Sequence, residues 1–291
     1  FLLLLNVLLQ IIFLFWIWQF VASPQVRRTQ EEYKAYHSKV FTGSGDFVQR
    51  QFDDFVQSTS LCGFGLSNKP FLFAVLFLWV AHCTNELKVN MRRFRLFNKL
   101  PRLPDGRPTE DIVHEVDNGE TGVWKEEMLL ILCISPAYKA AIVILIFVPK
   151  TIVAVGLVWC GSVWLSASEE FGDMILNSLA LSFVMEIDEM LFHCFMPERL
   201  RENISQTKLA APEPVGLSHE QFLEKDRAAL MEAYLRSWGF LLMTILFVFA
   251  FLRFQPVLPG FVDDIFLHCK PYLAASSEPL CYAWDSECFP Y

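Results

Sequence analysis

The chain has 291 residues, of which 54% are hydrophobic, above the roughly 45–50% usual for a soluble domain. Its formal net charge is −8, with no basic domain and no interleaving of basic and aromatic residues, which excludes a nucleic-acid binder. The apolar residues gather in long blocks rather than at helix or strand period, and that pattern predicts a multi-pass membrane protein.

In chain order, residues 1–22 form an apolar stretch of spanning length that ends in Trp16, Trp18 and Phe20, aromatics suited to a membrane interface. It reads as a retained first span rather than a signal-peptide core, with an upstream targeting segment already removed. Residues 23–69 are an outer polar segment. Within it Phe47, Val48, Phe52, Phe55 and Val56 fall near one helical face, which predicts a short amphipathic helix lying on the membrane or on its own protein. The second span, 70–84, continues as a helix into a basic flank of Lys88, Arg92, Arg93, Arg95 and Lys99. Residues 85–138 form an inner loop. Its acidic, proline-containing part holds an alternating Ile-Val-His-Glu-Val that suggests a strand, and 125–135 reads as an interfacial helix. The third span, 139–167, carries Pro149 as a kink and Lys150 within it. A tight turn leads to 173–196, a fourth span with an acidic cluster. The alternative for this segment is a helix lying along the interface with its acids among headgroups. In the inner segment 197–235, Ser218 and Gln221 have capping-box spacing, and the helix they open runs into a fifth span at 236–254. Residues 255–291 are a cysteine-containing outer tail.

The basic flank after the second span places that end of the protein inside, with the amino terminus inside and the tail outside. Cys62, Cys269, Cys281 and Cys288 then all lie outside, where disulfides persist, and two disulfides are expected among them with connectivity open. Cys83, Cys133, Cys160 and Cys194 fall in or near the membrane as free thiols. The glycosylation sequon at Asn203 faces inside and stays bare.

The fourth span sets Glu186, Asp188, Glu189 and His193 into an apolar run. Glu186 lies about 18 Å from the outer end of that helix at about 1.5 Å per residue. An uncompensated acid at such depth costs roughly 2.5–3.5 kcal/mol. Glu186, Glu189 and His193 share a face within about 60°, while Asp188 points elsewhere. Reflection about the turn near residue 170 puts Lys150 level with Met190, so Lys150 is expected to face Glu189, Glu186 or His193. Asn177 and Ser182 could bond between helices, and Gly156 and Gly161 could let them approach closely. Three readings of the cluster stand open: a clasp between helices or to a partner subunit, a proton or cation pathway, and a metal or pigment site with His193 or His82 as ligand. The chain lacks the repeated Glu-x-x-His of di-iron helices and the matching broken halves of a transporter. It also lacks a nucleophile elbow, a phosphate-cradling loop, a zinc pair and a dinucleotide fingerprint, so no enzyme is expected and no metal is assigned.

From Val148-Pro149-Lys150 through Trp159 and Trp164 to DMILNSLALSFVMEIDEMLF, the sequence resembles a segment of uncharacterised multi-pass membrane proteins of dinoflagellates and related protists. The similarity covers roughly residues 140–196. That family carries no known activity and assigns no residue a role, but the resemblance implies a protist source and an organellar home. The chlorophyll-binding Glu-x-x-Asn/His-x-Arg motif of antenna proteins is absent. The expectation is an all-α polytopic membrane protein with about five transmembrane helices, short amphipathic interfacial helices and a disulfide-stapled tail. Its expected role is a non-enzymatic accessory or scaffold subunit of a larger complex, in the thylakoid or mitochondrial inner membrane rather than the plasma membrane. The alternative is an ion or proton channel or transporter. Expected companions are other membrane subunits and lipid, with a pigment as a further candidate and no nucleic acid.

Overall fold

The computed structural model describes residues 2–42, 45–101, 113–117, 127–131, 133–209, 219–258 and 264–276. It is predominantly helical. The first helix runs from α1 (Leu2–Trp16) through a π-helical stretch (Ile17–Ala22) into α2 (Ser23–Val40) without a break, so much of the segment expected as an outer polar stretch continues the first span. After α3 (Gln49–Ser58) comes α4 (Lys69–Lys99), capped at its start by Asn68, whose Oδ1 accepts from the Phe71 N–H at 3.3 Å. Next in line are α5 (Pro136–Ile142), a π-helical stretch (Val143–Phe147) and α6 (Val148–Ser166), again one continuous rod. The last helices are α7 (Phe171–Phe195), α8 (Glu198–Gln206), α9 (His219–Phe254) and α10 (Ile265–Ser276). Both π-helical stretches lie just before a proline, Pro24 or Pro149. Proline offers no N–H to the ladder, and a widened turn absorbs the mismatch.

Among the described residues, four helices are long and apolar enough to cross a membrane: Leu4–Val40, Lys69–Lys99, Pro136–Ser166 and Arg227–Phe254. They form because a run of about 20 apolar residues satisfies every backbone group within one helix. Of the five expected spans, α7 does not meet that standard. It has 25 residues, but Glu186, Asp188 and Glu189 interrupt its apolar run.

Helix α6 sits at the centre, packed against α1, α4 and α7, while α9 leans on α4. Helices α6 and α4 meet tightly at Gly161, where an added Cβ would lie within 3 Å of the Trp79 indole. Gly156 meets Leu14 in the same way, so both glycines serve the close packing expected of them.

At the end of the bundle near the α6–α7 turn, a cap gathers α2, α3, two short 3₁₀ turns and α10. Helix α3 buries Phe52, Phe55 and Val56, and Tyr36 on α2 meets the rings of Phe52 and Phe55. The amphipathic helix thus packs on its own protein. His268 stacks on Phe47 with ring centres 3.8 Å apart, and His37 Nε2 lies 3.2 Å from Asp264 Oδ2. Cys62 and Cys269 form a disulfide joining chain segments 207 residues apart. Of the four cysteines expected to pair, these two do; Cys281 and Cys288 lie outside the described residues. Cys83, Cys133, Cys160 and Cys194 are not disulfide-bonded.

At the opposite end lies a small sheet in the order β1-β2-β3. Strand β1 (Val113–Asp117) pairs antiparallel with β2 (Glu127–Ile131), and β2 pairs parallel with β3 (Lys208–Leu209). The alternation around His114 thus forms the strand it suggested. The interfacial helix expected at 125–135 is corrected: five of its residues are β2, a run too short for a stable helix but matched to an adjacent strand.

Candidate functional site: a polar centre between the helices

The charged centre of the bundle is a pair, not the cluster read from the sequence. Lys150 Nζ lies 2.6 Å from Asp188 Oδ2, with both side chains about three-quarters covered by protein. The expectation that Lys150 faces Glu189, Glu186 or His193, with Asp188 turned away, is corrected. The buried stripe of α7 runs through Leu181, Val184 and Leu191. Asp188 falls seven residues after the first, four after the second and three before the third, on the same face. Glu186, Glu189 and His193 lie on the exposed side, and His193 Nδ1 meets Arg201 Nη1 at 3.4 Å.

Two other helices, α1 and α4, bring polar groups to the pair. A small cavity of about 40 Å³ is bordered by Gln10 from α1, Glu86 and Asn90 from α4, Lys150 from α6 and Asp188 from α7. Gln10 Nε2 donates to the Val184 carbonyl at 3.3 Å and ties α1 to α7. Asn90 Nδ2 donates to Thr151 Oγ1 at 3.0 Å and to the Phe147 carbonyl at 3.3 Å, tying α4 to the irregular part of the third span. Asn6, one turn before Gln10, is 2% exposed. Measured from the capped end of each helix, Glu86 lies about 26 Å along α4, Lys150 about 24 Å along α6 and Asp188 about 26 Å along α7. The polar groups therefore share one level.

Sequence reading missed Asn6, Gln10, Glu86 and Asn90. A signal was present: Asn6 and Gln10 are the sole polar residues in 2–15 and are four apart, as are Glu86 and Asn90. Of the expected interhelical hydrogen bonds, Asn177 Nδ2 reaches Ser168 Oγ at 2.9 Å beside the α6–α7 turn. Ser182 bonds within its own helix, to the Ser178 carbonyl.

Lys150 and Asp188 cancel each other and side-chain amides bond to the neighbouring backbone, while the solvent-exposed Glu86 borders the same cavity. At about 40 Å³ the cavity has room for about one to three waters. His82 and His193 are far apart in sequence and on different helices, α4 and α7. Among the described residues no group of three His, Cys, Asp or Glu is placed to hold a metal ion. No family model, curated protein or solved structure matches the chain.

Proposed function

We propose that the protein is a non-enzymatic accessory or scaffold subunit of a larger membrane complex, with an energy-converting organellar complex as its home. In this reading α7 is a fifth span beside the four apolar helices, the amino terminus and the basic end of α4 lie inside, and the disulfide-stapled cap lies outside. The observation that carries it is the closed Lys150–Asp188 pair, at 2.6 Å in a cavity of about 40 Å³. A conducting pathway calls for a hydrated route to those groups, whereas a clasp calls for a tight pair in a small cavity. The resemblance to protist membrane proteins supports the organellar home, and the cysteine distribution supports the orientation.

The test is native gel electrophoresis of the protein released from its own membrane in mild detergent, with mass spectrometry of the band. The expected result is migration in a large assembly with defined companions. Migration as a lone chain would overturn the subunit role.

A second reading, proton transfer, has one observation in its favour: the Glu86 carboxylate borders the same cavity as Lys150 and Asp188. On that reading Asp188→Asn abolishes proton flux in liposomes.

A further inference from the structure

Helix α9 is fastened to α4 by two side-chain hydrogen bonds, Thr244 Oγ1 to Thr84 Oγ1 at 3.3 Å and Lys88 Nζ to Ser237 Oγ at 3.0 Å. It stands off α6, and a lateral groove of about 790 Å³ opens between the three helices. The groove walls are apolar, with Met91 and Phe94 from α4, Ile152 and Val155 from α6 and Met243 from α9. At Gly239 the wall of α9 has no side chain, and an added Cβ would meet nothing within 4 Å. From Val143 to Val155 the groove runs for about 18 Å at about 1.5 Å per residue. That is close to the depth of one leaflet, half of a hydrocarbon core about 30 Å thick.

Two arginines, Arg95 and Arg236, line the same groove, and Lys88 is anchored to the residue next to Arg236. Glu232 holds Arg236 from one turn away on α9 and engages only part of its five-donor fork. Among the described residues no carboxylate lies within ion-pair distance of Arg95. A long apolar slot with cations on its wall complements a molecule that has apolar chains and one anionic end. An apolar helix from a partner would leave the Arg95 guanidinium unanswered and Arg236 with Glu232 alone.

We propose that this groove is a binding site for an anionic phospholipid of the inner leaflet. Its acyl chains lie along Met91, Ile152, Val155 and Met243, and its phosphate is held by Arg95 and Arg236. The proposal rests on the membrane placement given above.

The test uses the full chain reconstituted in vesicles of equal phosphatidylglycerol and phosphatidylcholine with identical acyl chains. The chain is then extracted in mild detergent, and the retained lipid is read by native mass spectrometry. The expected result is one retained phosphatidylglycerol per chain, preferred by about tenfold or more, given about 1 kcal/mol per arginine. Changing both Arg95→Gln and Arg236→Gln brings the preference near unity. Gly239→Trp fills the slot and removes the retained lipid. Equal retention of the two lipids by the unmodified chain would overturn the proposal, as would an unchanged preference in the double variant. A groove that retains no lipid, but whose Gly239→Trp variant loses a companion on a native gel, would assign the slot to a partner helix and also overturn it. Alkaline carbonate extraction of the same vesicles separates the two levels: release of the unmodified chain sinks the membrane placement, and its retention leaves the groove alone on trial.

Discussion

Replacing Asp188 with Asn leaves the Lys150 ammonium without its counter-charge. An unpaired lysine within the membrane costs about 2.5–3.5 kcal/mol. The expected outcome is a lower thermal midpoint in detergent. Combining Lys150→Met with Asp188→Leu should recover most of that loss, because an ion pair replaced whole by apolar groups strands no charge. A double variant no more stable than Asp188→Asn would contradict the clasp. At Gly161 the constraint is space. Gly161→Val adds three carbons against the Trp79 indole and should cost roughly 1–3 kcal/mol, while Gly172→Ala, with nothing within 4 Å of the new Cβ, should change thermal stability little. The depth of Lys150 opposite α7 was legible, because counting outward from a turn fixes height on antiparallel helices. The direction of Asp188 depends on which side of α7 the neighbours occupy, and three adjacent acids drew attention away from the apolar stripe that gives it. Polar pairs four apart inside apolar runs, Asn6 with Gln10 and Glu86 with Asn90, were equally readable and point to the same centre.

Among the elements, the cap depends most on a single bond. The Cys62–Cys269 disulfide closes a segment of 207 residues, and bonds of this kind contribute about 2–4 kcal/mol. Mild reduction, or Cys62→Ser, is expected to lower the thermal midpoint of the chain and to expose α10 to protease first. Unchanged protection of α10 would assign the cap's cohesion to its aromatic stack around Tyr36 and Phe47. The existence of long helices was legible wherever about twenty apolar residues run together, since such a run suits a helix that satisfies its own backbone. The continuation of the first helix through α2 was not, because its polar residues bond to the α6–α7 turn and the cap. Thr29 Oγ1 donates to the Ala167 carbonyl at 3.1 Å, and Gln30 Nε2 to the Val257 carbonyl at 2.7 Å. The strand at β2 was also hidden, because a five-residue apolar run has no period of its own and takes its form from its partner. For α7, the exposed thiol of Cys194 near its far end offers a direct check. In sealed vesicles with the cap outward, a membrane-impermeant maleimide should label Cys194 only after permeabilisation, as read by peptide mapping. Labelling of Cys194 in the sealed vesicles would put that end of α7 on the side of the cap and remove the fifth span.

At the scale of the whole molecule, Gln10, Asn90, Lys150 and Asp188 meet at one level inside the bundle, while the outward faces of α1, α6 and the second half of α9 are apolar. Trp16, Phe20, Ile152, Trp159, Trp238 and Phe249 are all exposed. Such a surface is compatible with an embedded protein. Charge gathers along the carboxyl-terminal part of α4, in the first half of α9 and on α2 and α8. In the role proposed above, the Lys150–Asp188 pair holds helices together and conducts nothing. The decisive measurement is proton flux in liposomes carrying the unmodified chain, set beside the Lys150→Met, Asp188→Leu double variant. The expected flux is no greater than in protein-free liposomes for both, with both chains folded and inserted. Flux through the unmodified chain that disappears in the double variant would contradict it and make the pair part of a pathway.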